Sequence, residues 1–141
     1  MDRLKRIKEM LRRRDLDALL VTQPENRRYL SGFSAGDMGI NESSGTLLVP
    51  RRGQPVLMTD FRFQLEAETE AGGFQVMIYK RGMLALLKKV LADREIKRLA
   101  FESHYFLHHT AGKLADLTGS IRIDITFIDP HIIGTAHPAH E

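Results

Sequence analysis

The sequence predicts an α/β domain with a mixed sheet and helices on its faces. Three observations support this prediction. Helical and strand-like patterns alternate along most of the 141 residues, as in proteins that cover a sheet with helices. The run DALLV at 17–21 shows no alternation, which is typical of a strand covered on both faces. A single hairpin signature interrupts the alternation and makes the sheet mixed.

The first helix is expected over residues 2–14, where Leu4, Ile7 and Leu11 recur at helical spacing. The same segment holds seven Lys or Arg against two acidic residues, in a chain of net charge +3. We interpret this charge as a solvated helix face whose last arginines lie against the negative end of the helix dipole. The alternative is a basic nucleic-acid footprint. We expect no nucleic-acid partner, because charge alone does not specify one.

The second helix is expected to begin at Pro24, since proline suits the first helical position. It should run to Leu30, and Gly32 should end it. Residues 31–45 are rich in Gly, Ser and Asn without an apolar period, so we predict a loop.

The predicted hairpin joins GTLLVP to PVLMTD through Arg51-Arg52-Gly53-Gln54, a Gly-containing turn of suitable length. The elements expected after it are a polar helix at 62–71, a strand at 74–79, a helix from 83 to 91, a strand at 98–102, a helix at 103–117 and a strand at 121–128.

Motifs that carry chemistry are few, and each has a simpler interpretation. GFSAG at 32–36 matches G-x-S-x-G, but a nucleophile elbow needs a strand before it and a helix after it. The helix carrying Glu66, Glu68 and Glu70 is expected to present them to solvent. The His-containing end, HPAH, lacks the rigid elements that metal ligands need, and no HExxH is present. We therefore assign no catalytic residue and no metal ligand to this chain.

The composition limits the cellular locations expected for the protein. Cysteine is absent, so no disulfide framework exists. No apolar run reaches the roughly 20 residues that span a bilayer, and the charged N-terminus lacks a secretory signal. We expect a cytoplasmic protein with no membrane partner.

One group of motifs is more specific. A P-x-N-x-x-Y-L-(S or T)-G-F segment follows LDALLV, and GTLLVP, GQPVLMTD, FRFQLEAE and RLAFE come after it. Together, over residues 3 to about 126, these segments resemble the N-terminal domain of the creatinase/prolidase/aminopeptidase P family, the Xaa-Pro metallopeptidases. Three features depart from the family pattern: Phe63 stands where tyrosine is common, the loop at 36–45 is long, and the last residues do not match.

The resemblance implies a six-stranded mixed sheet of ribonuclease-H-like topology, in a domain that we place at residues 1–128. The remaining residues, 129–141, show no usable pattern and are expected to form an irregular tail. It implies that a separate C-terminal pita-bread domain, absent from this sequence, holds two divalent ions (Mn, Co or Zn) and hydrolyses the bond before proline. The present domain would support dimerisation and line the entrance to that active site. Its implied partners are a second copy of the chain and a proline-containing peptide.

Two sets of positions follow. The structural set is Pro24, Asn26, Gly32 and Asp60, and the substrate-access set is Tyr29, Phe33 and Arg62. We expect Asn26 to cap local backbone groups. Core packing is the main interpretation of the two aromatic residues, with ligand contact as the alternative. For Arg62 two roles stay open: it binds a carboxylate bidentately, or it pairs with Asp60 or Glu66. A carboxylate-binding Arg62 would also suit a stand-alone module for small carboxylates or peptides, which is our alternative function.

Overall fold

The computed structural model describes residues 2–33, 45–102 and 124–128. Their elements, in chain order, are α1 (Asp2–Arg13), β1 (Ala18–Val21), α2 (Pro24–Ser31), β2 (Gly45–Pro50), β3 (Val56–Asp60), a 3-10 turn (Phe61–Phe63), α3 (Gln64–Glu70), β4 (Gln75–Tyr79), α4 (Met83–Asp93), β5 (Arg98–Glu102) and β6 (Asp124–Ile128).

The strands form one six-stranded sheet in the order β4-β3-β2-β1-β5-β6. β2 runs antiparallel to both of its neighbours, β1 and β3. The pairs β3–β4, β1–β5 and β5–β6 are parallel. The predicted α/β fold with a mixed six-stranded sheet is therefore confirmed.

The sheet separates two apolar cores. Residues of α1, α2 and α3 pack on one face, and residues of α4 pack on the other. Along β1, Leu19 and Val21 enter the first core while Ala18 and Leu20 enter the second, as expected when successive side chains point to opposite faces. Because both faces are covered, all four residues of this strand are buried and its sequence shows no alternation.

The element boundaries differ slightly from the predicted ones. The polar helix expected from Arg62 is preceded by a 3-10 turn, and its regular part begins at Gln64. The turn forms because the Asp60 side chain accepts a hydrogen bond from the backbone N–H of Arg62. α2 reaches Ser31, one residue beyond the prediction. The helix expected at 103–117, most of the loop at 31–45 and the tail at 129–141 lie outside the described residues.

Candidate functional site

Five strands end along the same edge of the sheet. β1, β3, β4, β5 and β6 run in one direction, because β2 alone is antiparallel to its neighbours. In α/β sheets, ligands bind outside the carboxyl ends of parallel strands. Two polar corners lie along this edge: one joins β1, α2 and β5, and the other follows β3.

The first corner is built around Glu102, the last residue of β5, which is fully buried. Its Oε1 accepts hydrogen bonds from the backbone N–H groups of Thr22 at 2.7 Å and Gln23 at 2.9 Å. The Thr22 hydroxyl donates to the same oxygen at 3.3 Å. Its Oε2 accepts from Asn26 Nδ2 at 2.7 Å. One carboxylate thus joins the end of β5 to the start of α2.

Burial raises the pKa of the Glu102 carboxyl above its ordinary value, against the opposing effect of the hydrogen bonds from Asn26, Gln23 and Thr22. Burial is the larger effect, so the group holds a proton at higher pH than an exposed glutamate. A buried carboxyl with a raised pKa at a ligand-binding edge is a candidate functional residue. Here, however, both oxygens accept bonds from the surrounding backbone and side chains, so the arrangement first of all fixes the corner.

Asn26 links the start of α2 to the end of β5. Its amide nitrogen donates to two side chains, Gln23 Oε1 at 2.6 Å and Glu102 Oε2 at 2.7 Å. The N-cap of α2 is Gln23, which makes no side-chain capping bond. The bond to Glu102 was not predicted, because Glu102 lies 76 residues away in the sequence. A bond from Asn26 to local backbone groups stays a prediction.

Arg27 is a buried residue of this corner that sequence reasoning missed. The side chain is fully buried; Nε donates to the Phe33 carbonyl at 3.3 Å and Nη1 to the Gly45 carbonyl at 3.1 Å. The guanidinium lies 5.4 Å from the centre of the Phe33 ring. The helical spacing is a signal in the sequence. Arg27 lies three residues before Leu30 and four before Ser31, so it shares their face of α2, and all three residues are buried.

The other predicted residues of α2 are placed by packing. Gly32 adopts φ 83°, and its N–H donates to the Arg28 carbonyl at 2.8 Å, which ends the helix as predicted. Phe33 is fully buried in the first core. Tyr29 is half-buried beside the same core, and the Arg3 guanidinium covers its ring at 4.2 Å. These positions agree with core packing; a role of either ring in substrate access stays a prediction.

The second corner is exposed. Asp60 Oδ1 accepts from the backbone N–H of Arg62 at 2.8 Å and from Arg62 Nε at 3.1 Å. The backbone hydrogen bond is the main reason that the pKa of the Asp60 carboxyl is lowered. The Arg62 side chain is 67% exposed, and among the described residues its two terminal nitrogens have no hydrogen-bond partner. Of the two ion pairs considered for Arg62, the structure contains the one with Asp60.

Two large apolar side chains flank Arg62. Phe61 is 71% exposed and Leu65 is 77% exposed, and these are the large hydrophobic residues that the described part of the chain leaves uncovered. We call Phe61, Arg62 and Leu65 the Arg62 surface. It combines a cation with apolar area at the carboxyl-end edge, so among the described residues of this edge it is suited to contact another molecule.

The remaining candidates are less informative. Within the described ranges, no group of three or more His, Asp or Glu side chains could hold a metal ion. The His-containing tail lies outside those ranges. A cleft of about 200 Å³ at the opposite edge is lined by Asp17, Arg51, Arg94 and Ile96 with their neighbours. Asp17 there accepts from the N–H groups of Lys97 and Arg98, which fixes the start of β5.

None of the helices within the described residues has the length and apolar character needed to cross a membrane.

The family model of the Creatinase/Prolidase N-terminal domain matches residues 3–129. A curated relative, the uncharacterized peptidase YqhT of Bacillus subtilis (strain 168), is 25% identical over 108 residues. The aligned region is 77% of this chain and 28% of the relative, so the chain spans less than a third of that protein's length.

Two solved structures agree with this match. The N-terminal domain of the cytoplasmic peptidase PepQ from Mycobacterium tuberculosis H37Rv has a TM-score of 0.80 at 27% identity, covering 96% of this chain and 98% of its own. A Xaa-Pro aminopeptidase from Streptococcus pyogenes has a TM-score of 0.76 at 26% identity, covering 96% and 95%. The resemblance inferred from the sequence motifs is confirmed: the chain belongs to the creatinase/prolidase N-terminal domain family.

Proposed function

We propose that the chain is the non-catalytic N-terminal domain of a Xaa-Pro dipeptidase or aminopeptidase. It would support homodimerisation and guide a proline-containing peptide to an active site in a C-terminal domain outside these 141 residues. The observation that carries the proposal is the match over residues 3–129 to a domain found at the N-terminus of peptidases. The chain also spans 28% of a relative described as a peptidase.

We assign the chemistry of hydrolysis to the proposed C-terminal domain. Two divalent ions (Mn, Co or Zn) would need a set of carboxylate and imidazole ligands, and the described residues do not provide one. We therefore derive no catalytic step from this chain. The proposed location is the cytoplasm, in keeping with the description of the M. tuberculosis relative.

The geometry suits a supporting domain. The buried bonds of Glu102 and Arg27 hold α2 to β5 and to the start of β2 at the carboxyl-end edge, and the Arg62 surface lies on the same edge. A rigid edge positions an exposed cation more precisely than a mobile loop does. Arg62 would then attract the carboxylate end of a peptide, with Tyr29 and Phe33 supporting the edge from within.

The direct test is hydrolysis of a Xaa-Pro dipeptide by the purified chain with Mn²⁺, Co²⁺ or Zn²⁺ added. We expect no hydrolysis above the metal-only blank. Hydrolysis that the chain accelerates would contradict the proposal. The coding sequence downstream gives a second check, because the proposal expects a segment with two Asp, one His and two Glu placed to bind two metal ions.

A second candidate function is favoured by the Arg62 surface itself. With Nε held by Asp60, the two terminal nitrogens of Arg62 can still form paired hydrogen bonds to a carboxylate between exposed Phe61 and Leu65. This arrangement would suit a stand-alone module that binds small carboxylates or short peptides.

Calorimetry with proline-containing dipeptides tests the second function. A stand-alone module should release heat at millimolar ligand, lose it in Arg62→Ala and keep it in the control Arg52→Ala, which changes an exposed arginine of the β2–β3 turn. Absence of heat in the unmodified chain would remove this second function and leave the first intact.

A further inference from the structure

β4 lies at one edge of the sheet, and its outer side faces away from β3. Among the described residues no strand pairs with that outer side. Gln75 N–H donates to the Pro55 carbonyl, so the backbone groups of Gln75, Met77 and Tyr79 bond to β3. Because these groups alternate along a strand, the N–H and C=O of Val76 and Ile78 point outward.

This edge lacks the features that normally prevent strands from pairing. Edge strands are usually protected by charged side chains, proline or a bulge. The sequence of β4 is QVMIY, which contains no charge and no proline, and three of its residues favour strands. Its side chains from Val76 to Tyr79 are only half-buried, so part of their apolar surface is uncovered in the single chain.

We propose that β4 is the homodimer interface, where it pairs antiparallel with β4 of a second copy of this chain. The inference rests on the homodimer included in the proposed function and names its surface. The two-fold axis lies at Met77 in the register where the outward N–H and C=O groups of Val76 and Ile78 all form hydrogen bonds. Val76 then lies opposite Ile78 of the second copy, and each such pair exchanges two backbone hydrogen bonds.

The register also matches the side chains. Val76 and Ile78 of opposite copies would contact on the face that carries α3, as β-branched pairs that stabilise neighbouring strands. Met77 would meet its own copy on the face that carries α4, where it already packs beside the second core. A second copy therefore covers the uncovered apolar surface on both faces of the strand.

The absence of cysteine allows a precise test by disulfide formation in the full chain. At the two-fold axis, Met77→Cys would be opposite itself in a non-hydrogen-bonded pair, with Cα atoms about 4.5 Å apart, within the range for a disulfide. Gln75→Cys is the control, because it is more exposed, lies on the same face and would be opposite Tyr79 of the other copy. Under mild oxidation we expect a covalent dimer from Met77→Cys and at least a tenfold lower yield from Gln75→Cys.

A second pair of variants tests the backbone bonds. Ile78→Pro removes an outward N–H without breaking the ladder to β3, whereas Ile78→Thr keeps it. By sedimentation equilibrium we expect the dimer dissociation constant to rise at least tenfold in Ile78→Pro and less than threefold in Ile78→Thr, with circular dichroism unchanged in both.

The outcomes separate this inference from the proposed function. A dimeric chain in which Met77→Cys and Gln75→Cys crosslink equally, or in which Ile78→Pro does not weaken the dimer, overturns edge pairing but leaves homodimerisation standing. A chain that is monomeric at every concentration from micromolar to millimolar overturns both the interface and the dimer. Neither result affects the assignment to a non-catalytic peptidase domain, which the hydrolysis assay tests.

Discussion

The two polar corners at the carboxyl-end edge combine similar groups in opposite surroundings. Glu102 accepts from Asn26 and the start of α2 in a fully buried position. Asp60 accepts from the backbone and side chain of Arg62 at the surface. Burial raises the pKa of the first carboxyl, and hydrogen bonding lowers that of the second. The surroundings, more than the residue types, decide which corner maintains the fold and which can contact a ligand.

The buried corner should tolerate change least at Arg27. Arg27→Met keeps much of the side-chain length but leaves the Phe33 and Gly45 carbonyls without their guanidinium donor. We expect a loss of about 3–5 kcal/mol in the free energy of unfolding, measured in urea. The control is Arg28→Met, at an exposed position of the same helix, with a change of no more than about 0.5 kcal/mol. Equal effects of the two variants would show that Arg27 is not structurally essential.

The bond between Asn26 and Glu102 can be isolated by exchanging its polarity. Asn26→Asp places two carboxyl groups together, and Glu102→Gln brings two amide groups together; we expect each to cost about 2–3 kcal/mol. In the double variant a glutamine N–H can donate to an aspartate oxygen, so the combined cost should be smaller than the sum by about 1–2 kcal/mol. Urea unfolding of all four proteins measures this coupling. Strictly additive costs would mean that the bond contributes nothing specific.

The raised pKa of Glu102 gives a pH dependence of known sign. Below its ordinary value of 4.5 the carboxyl is protonated in both folded and unfolded chains. Above it the unfolded chain releases the proton first, so the folded chain binds more protons and stability falls as pH rises through the raised folded pKa. Glu102→Gln should lack this fall. The measurement is the difference in unfolding free energy between the two proteins as pH is raised; a difference that grows in the opposite direction would mean that the pKa is lowered.

The sequence predicted the elements and the motif of the first corner but not how the motif works. Apolar spacing located α1, α4 and the covered strand β1, because burial of apolar residues repeats with the period of each element. Pro24 and Gly32 marked the ends of α2 through their own backbone preferences.

The burial of Arg27 and Glu102 was not predicted, because arginine and glutamate are rarely fully buried and their presence normally indicates an exposed position. Their burial depends on partners that folding brings close: Glu102 meets Thr22 across 80 residues. The inward position of Arg27 could have been predicted from the helical spacing in α2, but its hydrogen bond to the Gly45 carbonyl could not. The exposed corner was easier, since Asp60 and Arg62 are two residues apart.

Gly32 tests a contact between the end of α2 and the end of α3. Its φ of 83° already disfavours a side chain, and an added Cβ would lie 3.0 Å from the Glu70 carbonyl oxygen. Gly53 has a similar φ of 97° with nothing within 4 Å, so it is a matched control for backbone strain alone. We expect Gly32→Ala to cost about 2–3 kcal/mol and Gly53→Ala about 1 kcal/mol in urea unfolding. Equal costs would show that α2 and α3 adjust to the added methyl group.

The exposed corner should show the smallest effect on stability. Arg62→Ala removes the guanidinium but keeps the backbone N–H, which is the main cause of the lowered Asp60 pKa. We therefore expect an unchanged urea midpoint, because exposed ion pairs contribute little, and an Asp60 pKa that stays below its ordinary value of 3.8 in an NMR titration. A return of that pKa to its ordinary value would make the side-chain pair the dominant interaction, and a large loss of stability would make this corner structural like the first. Retention of both leaves Arg62 available for a ligand, since its side chain then contributes little to the fold that supports it.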